Sequence, residues 1–134
     1  MKLVLDASVA VAAARPNEPS HARSLARVSR VLRGGDDIIV PALFPIEVGS
    51  ALARVGEPPD AVRAYVDALV AAALVVFTIG PSAARRTRDL AIVSKLRAAD
   101  ATYVWLAARE SVPLCTLDQE LANRGASWCS MIPP

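Results

Sequence analysis

Four carboxylates stand where a chain of this texture would otherwise place something small or apolar. Asp6 follows the run Leu3-Val4-Leu5, and Glu47 lies within Phe44-Pro45-Ile46-Glu47-Val48. Asp100 opens Asp100-Ala101-Thr102-Tyr103-Val104, and Asp118 closes Pro113-Leu114-Cys115-Thr116-Leu117-Asp118. Oxygen donors of this kind suit a hard dication such as Mg²⁺ or Mn²⁺, and a cation so held would promote metal-assisted attack on a phosphodiester. Each acid also has a structural use of its own. Asp118 reads as a helix N-cap, Asp100 and Glu47 as favourable charges in first helical turns, and Asp6 as a turn residue after a strand. The joint pattern is what points to a metal centre, since four carboxylates sharing one crevice without a cation would repel and raise one another's pKa values.

Other chemistries find less support in the residues. His21 is the only histidine and sits at a helix start beside Pro19 and Ser20, which reads as a surface or capping residue and argues against a histidine-based triad. Cys115 and Cys129 lie in apolar strand-like runs, with neither a disulfide framework nor zinc spacing, and read as reduced thiols. Aromatic residues make up 4% of the chain, too few for a base-stacking platform. Arg85, Arg86 and Arg88, with Lys95 and Arg97, form a basic run that reads either as a solvated helix face or as a grip on RNA phosphates.

These side chains must be positioned by short elements that the sequence marks out clearly. Lys2 to Leu5 is a strand, followed by a helix over Ala7 to Ala14 and a break at Pro16 and Pro19. A helix from Ser20 places Ala22, Leu25, Val28 and Leu32 on one side and Arg23, Arg27, Arg30 and Arg33 on the other, ending at Gly34-Gly35. Ile38 to Val40 is a second strand, Pro45 to Val55 a helix, and Pro58-Pro59 open another to about Ala72. Leu74 to Thr78 is a third strand. Ser82 is the expected N-cap of a helix through Leu96, and Asp100 to Glu110 is helical; no Gly or Pro interrupts Leu90 to Ala107. Pro113 to Thr116 makes a fourth strand, Asp118 caps a helix to Arg124 that Gly125 ends, and Ser127 to Ile132 supplies a fifth strand. Apolar strands alternating with helices predict a three-layer α/β/α sandwich with a central parallel sheet of about five strands. In such sheets the ligand crevice lies beyond the carboxyl ends of the strands, where Asp6 and Asp118 fall.

At 134 residues and 54% hydrophobic content the chain reads as one domain, 1–134, with a sizeable core. The longest uncharged apolar run, Ala68 to Phe77, has 10 residues, against the roughly 20 needed to cross a bilayer. Asp6 interrupts what would otherwise look like a signal-peptide core, so a soluble, cytoplasmic protein is expected. Net charge is +2; with four acids gathered in one cleft, the remaining 15 basic and 9 acidic groups leave +6 to face a phosphate backbone.

The runs Val4-Leu5-Asp6-Ala7-Ser8, Pro45-Ile46-Glu47-Val48-Gly49-Ser50-Ala51-Leu52, Ala99-Asp100-Ala101-Thr102-Tyr103-Val104-Trp105-Leu106-Ala107 and Pro113-Leu114-Cys115-Thr116-Leu117-Asp118 resemble, in order and separation, the motifs of a PIN domain, most like the small VapC-type toxins. The resemblance implies a PIN-like fold and a ribonuclease in which Asp6, Glu47, Asp100 and Asp118 hold one or two Mg²⁺ or Mn²⁺ ions. It further implies that Ser8 and Thr116 support the metal-bound water or the carboxylates. An RNA substrate, a cognate antitoxin and a homodimer are the partners it implies, with apolar faces on Pro45 to Leu52 and Pro59 to Leu69 available for contact or simply core. Two other functions compete: a catalytically silent PIN-like module that binds RNA or protein, and a phosphatase or receiver-like domain using Asp6. The last would want a second acid near Asp6 and a well-placed lysine, yet position 8 is Ser and Lys95 is the only lysine besides Lys2.

Overall fold

Runs of consecutive apolar residues are the pattern of strands covered on both faces. In the computed structural model, which describes residues 1–134, they form one all-parallel sheet. Its strands are β1 (Lys2–Leu5), β2 (Asp37–Pro41), β3 (Val75–Phe77), β4 (Leu114–Cys115) and β5 (Met131–Ile132), in the spatial order β3-β2-β1-β4-β5. Val4 is the register centre, aligned with Ile39 on one side and Leu114 on the other. Leu3, Val4, Leu5, Ile38 and Val40 are wholly buried there, while Val75 and Val76 on the edge strand stay partly exposed.

The helices are α1 (Ala7–Ala13), α2 (His21–Leu32), α3 (Phe44–Arg54), α4 (Pro59–Ala72), α5 (Pro81–Ser94), α6 (Ala98–Glu110) and α7 (Gln119–Gly125). α1 packs on α2 and α3, and α4 on α2 and α3, whereas α6 packs on α5, α7 and strands β1, β2 and β4. Right-handed crossovers in the two directions away from β1 put the first group on one face of the sheet and the second on the other. The three-layer sandwich expected from the sequence is the fold observed. On α3 and α4 most of the apolar side is core, with Phe44, Val48, Leu52, Val62, Val66 and Leu69 buried, while Ile46 remains 71% exposed. No helix is long and apolar enough to cross a membrane.

Several local expectations are corrected. α5 begins at Pro81 with Gly80, not Ser82, at the N-cap, because proline's fixed φ suits the first helical position and its missing N–H leaves nothing unpaired. The unbroken look of Leu90 to Ala107 conceals a corner: Lys95 adopts a left-handed φ of 59° and Arg97 is extended before α6. Buried Leu96 anchors this corner, its N–H donates to Ser94 Oγ at 3.2 Å, and Arg124 Nη1 donates to the Lys95 carbonyl at 2.9 Å.

On α2 the buried stripe is Ser24, Val28 and Val31, with Leu25 and Leu32 left exposed. Arg27 belongs to the same stripe by helical spacing and is turned toward Asp36, whose shielded carboxylate also receives Arg30 and the Met1 amine, all at 2.8–2.9 Å. Burial alone would raise the pKa of Asp36, but these donors outweigh it and hold the carboxyl below its usual range. Of the expected fifth strand only Met131 and Ile132 pair, since the Trp128 and Cys129 N–H groups fold back to the Gly125 carbonyl.

Candidate functional site

Between β1 and β4 the chain reverses the direction in which it builds the sheet, and a crevice opens beyond the carboxyl ends of those two strands. Asp6 is the first residue after β1, and its N–H donates to the Cys115 carbonyl of β4 at 3.0 Å. It occupies the N-cap position of α1 but caps nothing with its side chain. Instead Oδ2 accepts hydrogen bonds from Ser8 Oγ and from Thr116 Oγ1, the latter at 2.8 Å. The two hydroxyls in turn accept from the N–H groups of Leu117 (3.1 Å) and Asp118 (3.0 Å). One small network thus ties the end of β1 to the loop after β4. Asp6 is only 6% exposed. Burial pushes its pKa up, the two hydroxyls oppose that, and the charges of Asp100 and Asp118 push it further up.

Asp118 does cap α7: its Oδ1 accepts from the Leu121 N–H at 3.0 Å, while Oδ2 faces Arg97 Nη2 at 3.5 Å. Asp100, in the first turn of α6, accepts from Arg97 Nε at 3.1 Å. Its pKa is raised by burial, lowered by Arg97, and raised again by Asp118 and Glu120, with burial and the acids prevailing. Glu47, in the first turn of α3, accepts from the Tyr103 hydroxyl at 2.7 Å. Burial raises its pKa, the Tyr103 hydrogen bond lowers it, Asp6 and Asp100 raise it, and Arg97 lowers it, for a net rise.

Two partners in this arrangement escaped the sequence reading of the site. Tyr103 is wholly buried and stands one helical turn after Asp100, on the same face of α6. Arg97, counted above with a basic run, lies one turn before Asp100 and faces the acids. Spacings of three residues around Asp100 are the signal that would have flagged both. Elsewhere in that run Arg88 pairs with Asp89, and Arg85 and Arg86 are exposed. His21 is a brace, its Nδ1 lying 3.0 Å from the Ala12 carbonyl. Cys115 is buried and Cys129 half-buried, and burial pushes both thiols up to about 11.

Around the crevice, Asp6 feels the charges of Asp100 and Asp118, Glu47 those of Asp6 and Asp100, and Asp100 that of Asp118. In donor type and sign they fit a hard dication. Their spacing leaves the shell open, because no three His, Cys, Asp or Glu side chains lie close enough as they stand to hold a metal ion. Arg97 spans the gap between Asp100 and Asp118.

Comparison with known proteins bears on the family and the fold. The sequence model of the PIN domain matches residues 3–126. A search of curated proteins found no significant match. Among solved structures, PAE2754 from Pyrobaculum aerophilum superposes with a TM-score of 0.72 at 20% identity, covering 98% of this chain and 83% of that one. VapC20 from Mycobacterium tuberculosis, described as a sarcin-ricin loop cleaving toxin, gives 0.72 at 12% identity, with 92% and 95% covered. VapBC2 from Rickettsia felis, bound to a DNA fragment from the promoter, gives 0.70 at 12% identity, with 100% and 99% covered. At such identities the likeness is one of fold.

Proposed function

This chain belongs to the PIN domain family, and we propose that it is a Mg²⁺- or Mn²⁺-dependent endoribonuclease, the toxin component of a type II toxin-antitoxin pair. PIN domains are in general nucleases. The observation that carries the proposal is Asp6: a buried carboxylate at the topological switch point, paired with no basic side chain and pushed further up in pKa by other acids. Such a group is costly to keep unless a cation arrives to neutralise it.

Asp6, Glu47, Asp100 and Asp118 would hold the cation, and Ser8 and Thr116 would serve it through Asp6. When bound, the dication supplies Lewis acidity to the scissile phosphate and lowers the pKa of the attacking water. The chain's own contribution is orientation. Ser8 and Thr116 both hold Asp6 through Oδ2, leaving Oδ1 without a hydroxyl donor. Tyr103 holds Glu47 through Oε1, and the Leu121 N–H engages Asp118 through Oδ1, which leaves Glu47 Oε2 without a side-chain donor and Asp118 Oδ2 facing only Arg97. Because the pKa values of Asp6, Glu47 and Asp100 are raised, cation binding would release protons and tighten as pH rises. Exposed Arg85 and Arg86 are candidates for contacts with the RNA backbone.

The resemblance to VapC-type toxins, together with the fold likeness to VapBC2, supports a cognate antitoxin as partner. A homodimer is proposed with it, and exposed Ile46 beside Glu47 is an apolar contact point for either. A catalytically silent PIN-like module that binds RNA or protein is the second reading, favoured by the open carboxylate shell and by Arg97 neutralising Asp100 and Asp118. The experiment that separates them is RNA cleavage in Mn²⁺ by the wild type, Asp6→Asn and Asp100→Asn, with melts in Mn²⁺ and EDTA alongside. Cleavage and a Mn²⁺-dependent rise in melting temperature, both lost in the variants, are expected. Equal cleavage by all three proteins would refute the site. Absence of cleavage and of any melting shift would leave the silent module.

A further inference from the structure

The same oxygens that the nuclease reading assigns to a dication are already taken by a side chain of the protein. Arg97 Nε binds Asp100 Oδ2 at 3.1 Å and Nη2 faces Asp118 Oδ2 at 3.5 Å. One guanidinium thus bridges two of the four acids. A planar head with several fixed donors is suited to spanning two carboxylates, and arginine cannot leave by giving up its proton. It must swing away instead. Its side chain is 76% exposed, so the swing disturbs no packing, and exposed ion pairs are weak.

The backbone makes this placement more than an accident of a long side chain. Arg97 is the N-cap residue of α6, held in extended conformation, yet its side chain makes no cap hydrogen bond. The corner that delivers it is fixed by buried Leu96, by Ser94 and by the hydrogen bond from Arg124 to the Lys95 carbonyl. A fixed base with an exposed, charged tip suits a part that changes place.

We propose that Arg97 is a built-in competitor for the cation, seated between Asp100 and Asp118 until a dication displaces it. The proposal rests on the metal-dependent reading above. It makes the unloaded site less repulsive and sets the metal concentration at which the site fills.

Calorimetric titration of Mn²⁺ into the full chain at neutral pH and fixed salt tests it, using wild type, Arg97→Gln, Arg97→Lys and Asp6→Asn. Removing the charge in Arg97→Gln is expected to tighten Mn²⁺ binding about three- to tenfold, the range for a cation several ångströms away in a wet cleft. Arg97→Lys, which keeps the charge, stays close to wild type, and Asp6→Asn loses binding. Equal or weaker binding by Arg97→Gln beside a wild type that binds would overturn the competitor while leaving the metal site standing. Failure of every protein to bind would overturn both.

Discussion

Asp6 is the one buried carboxylate of the four around the crevice. Its folded pKa lies above the ordinary 3.8, so its contribution to stability is present below that pH and is lost as pH rises through the raised value. Metal-free Asp6→Asn escapes this loss. At neutral pH in EDTA the variant should therefore melt higher than the wild type, although its RNA cleavage should fall by more than about 100-fold, beyond the 10- to 100-fold typical of outer-shell changes. A lower melting temperature would show the carboxylate to be a stabilising part of the fold. Thr116 acts through Asp6 and through the Asp118 N–H. Thr116→Ala should lower Mn²⁺ affinity by about 10- to 100-fold and Thr116→Ser should restore it, because only the hydroxyl is used. Equal losses in both variants would mean that the methyl group, by packing, was what mattered.

At the scale of elements, the corner between α5 and α6 decides where Asp100 and Arg97 go. Lys95 holds a left-handed backbone there that favours glycine. Lys95→Gly should stabilise the protein by roughly 1 kcal/mol in urea unfolding, whereas Lys95→Val should destabilise it. Gly125 has the opposite character. It ends α7 as the sequence suggested, but its φ is not in the left-handed region, and an added Cβ would lie 2.6 Å from Met131 Cε and 2.8 Å from Val104 Cγ2. The methionine end can yield, while the buried valine on α6 cannot easily do so. Gly125→Ala should lower stability by about 1–3 kcal/mol, measured by the same unfolding, since it overpacks the contact among α6, α7 and β5.

Over the whole molecule two sets of acids pull stability in opposite directions with pH. Asp36 clamps the Met1 amine to α2 at the start of β2, and its folded pKa lies below 3.8. Its stabilisation is present above that value and is lost as pH falls through the lowered one. Asp6, Glu47 and Asp100 have raised values and act in the reverse sense. In EDTA the melting temperature should peak on the acidic side of neutrality, and in Mn²⁺ the peak should move upward in pH as the cation offsets the ionised acids. Curves that coincide with and without Mn²⁺ would count against a metal at this site. Asp36→Ala, which leaves half-buried Arg27 without its partner, should lower stability by about 3 kcal/mol at any pH above 4.

The alternation of strands and helices, the parallel sheet and the residues at its crevice ends are legible in the sequence alone. These follow from local signals: unbroken apolar runs such as Leu3-Val4-Leu5, prolines at helix starts, and acids just past strands. Asp118 as a helix cap was legible for the same reason, because the chemistry lies within four residues. Tertiary structure decided the rest. The left-handed turn at Lys95 has no Gly or Pro to announce it and is held by Leu96 and Arg124, the latter 29 residues away from the carbonyl it binds. The inward roll of α2 answers to Asp36, and the bonds from Thr116 to Asp6 and from Tyr103 to Glu47 join residues 110 and 56 positions apart. Local propensity carries no information about such partners. They are chosen by where the sheet brings chain ends together and by the need of each buried carboxylate for a donor.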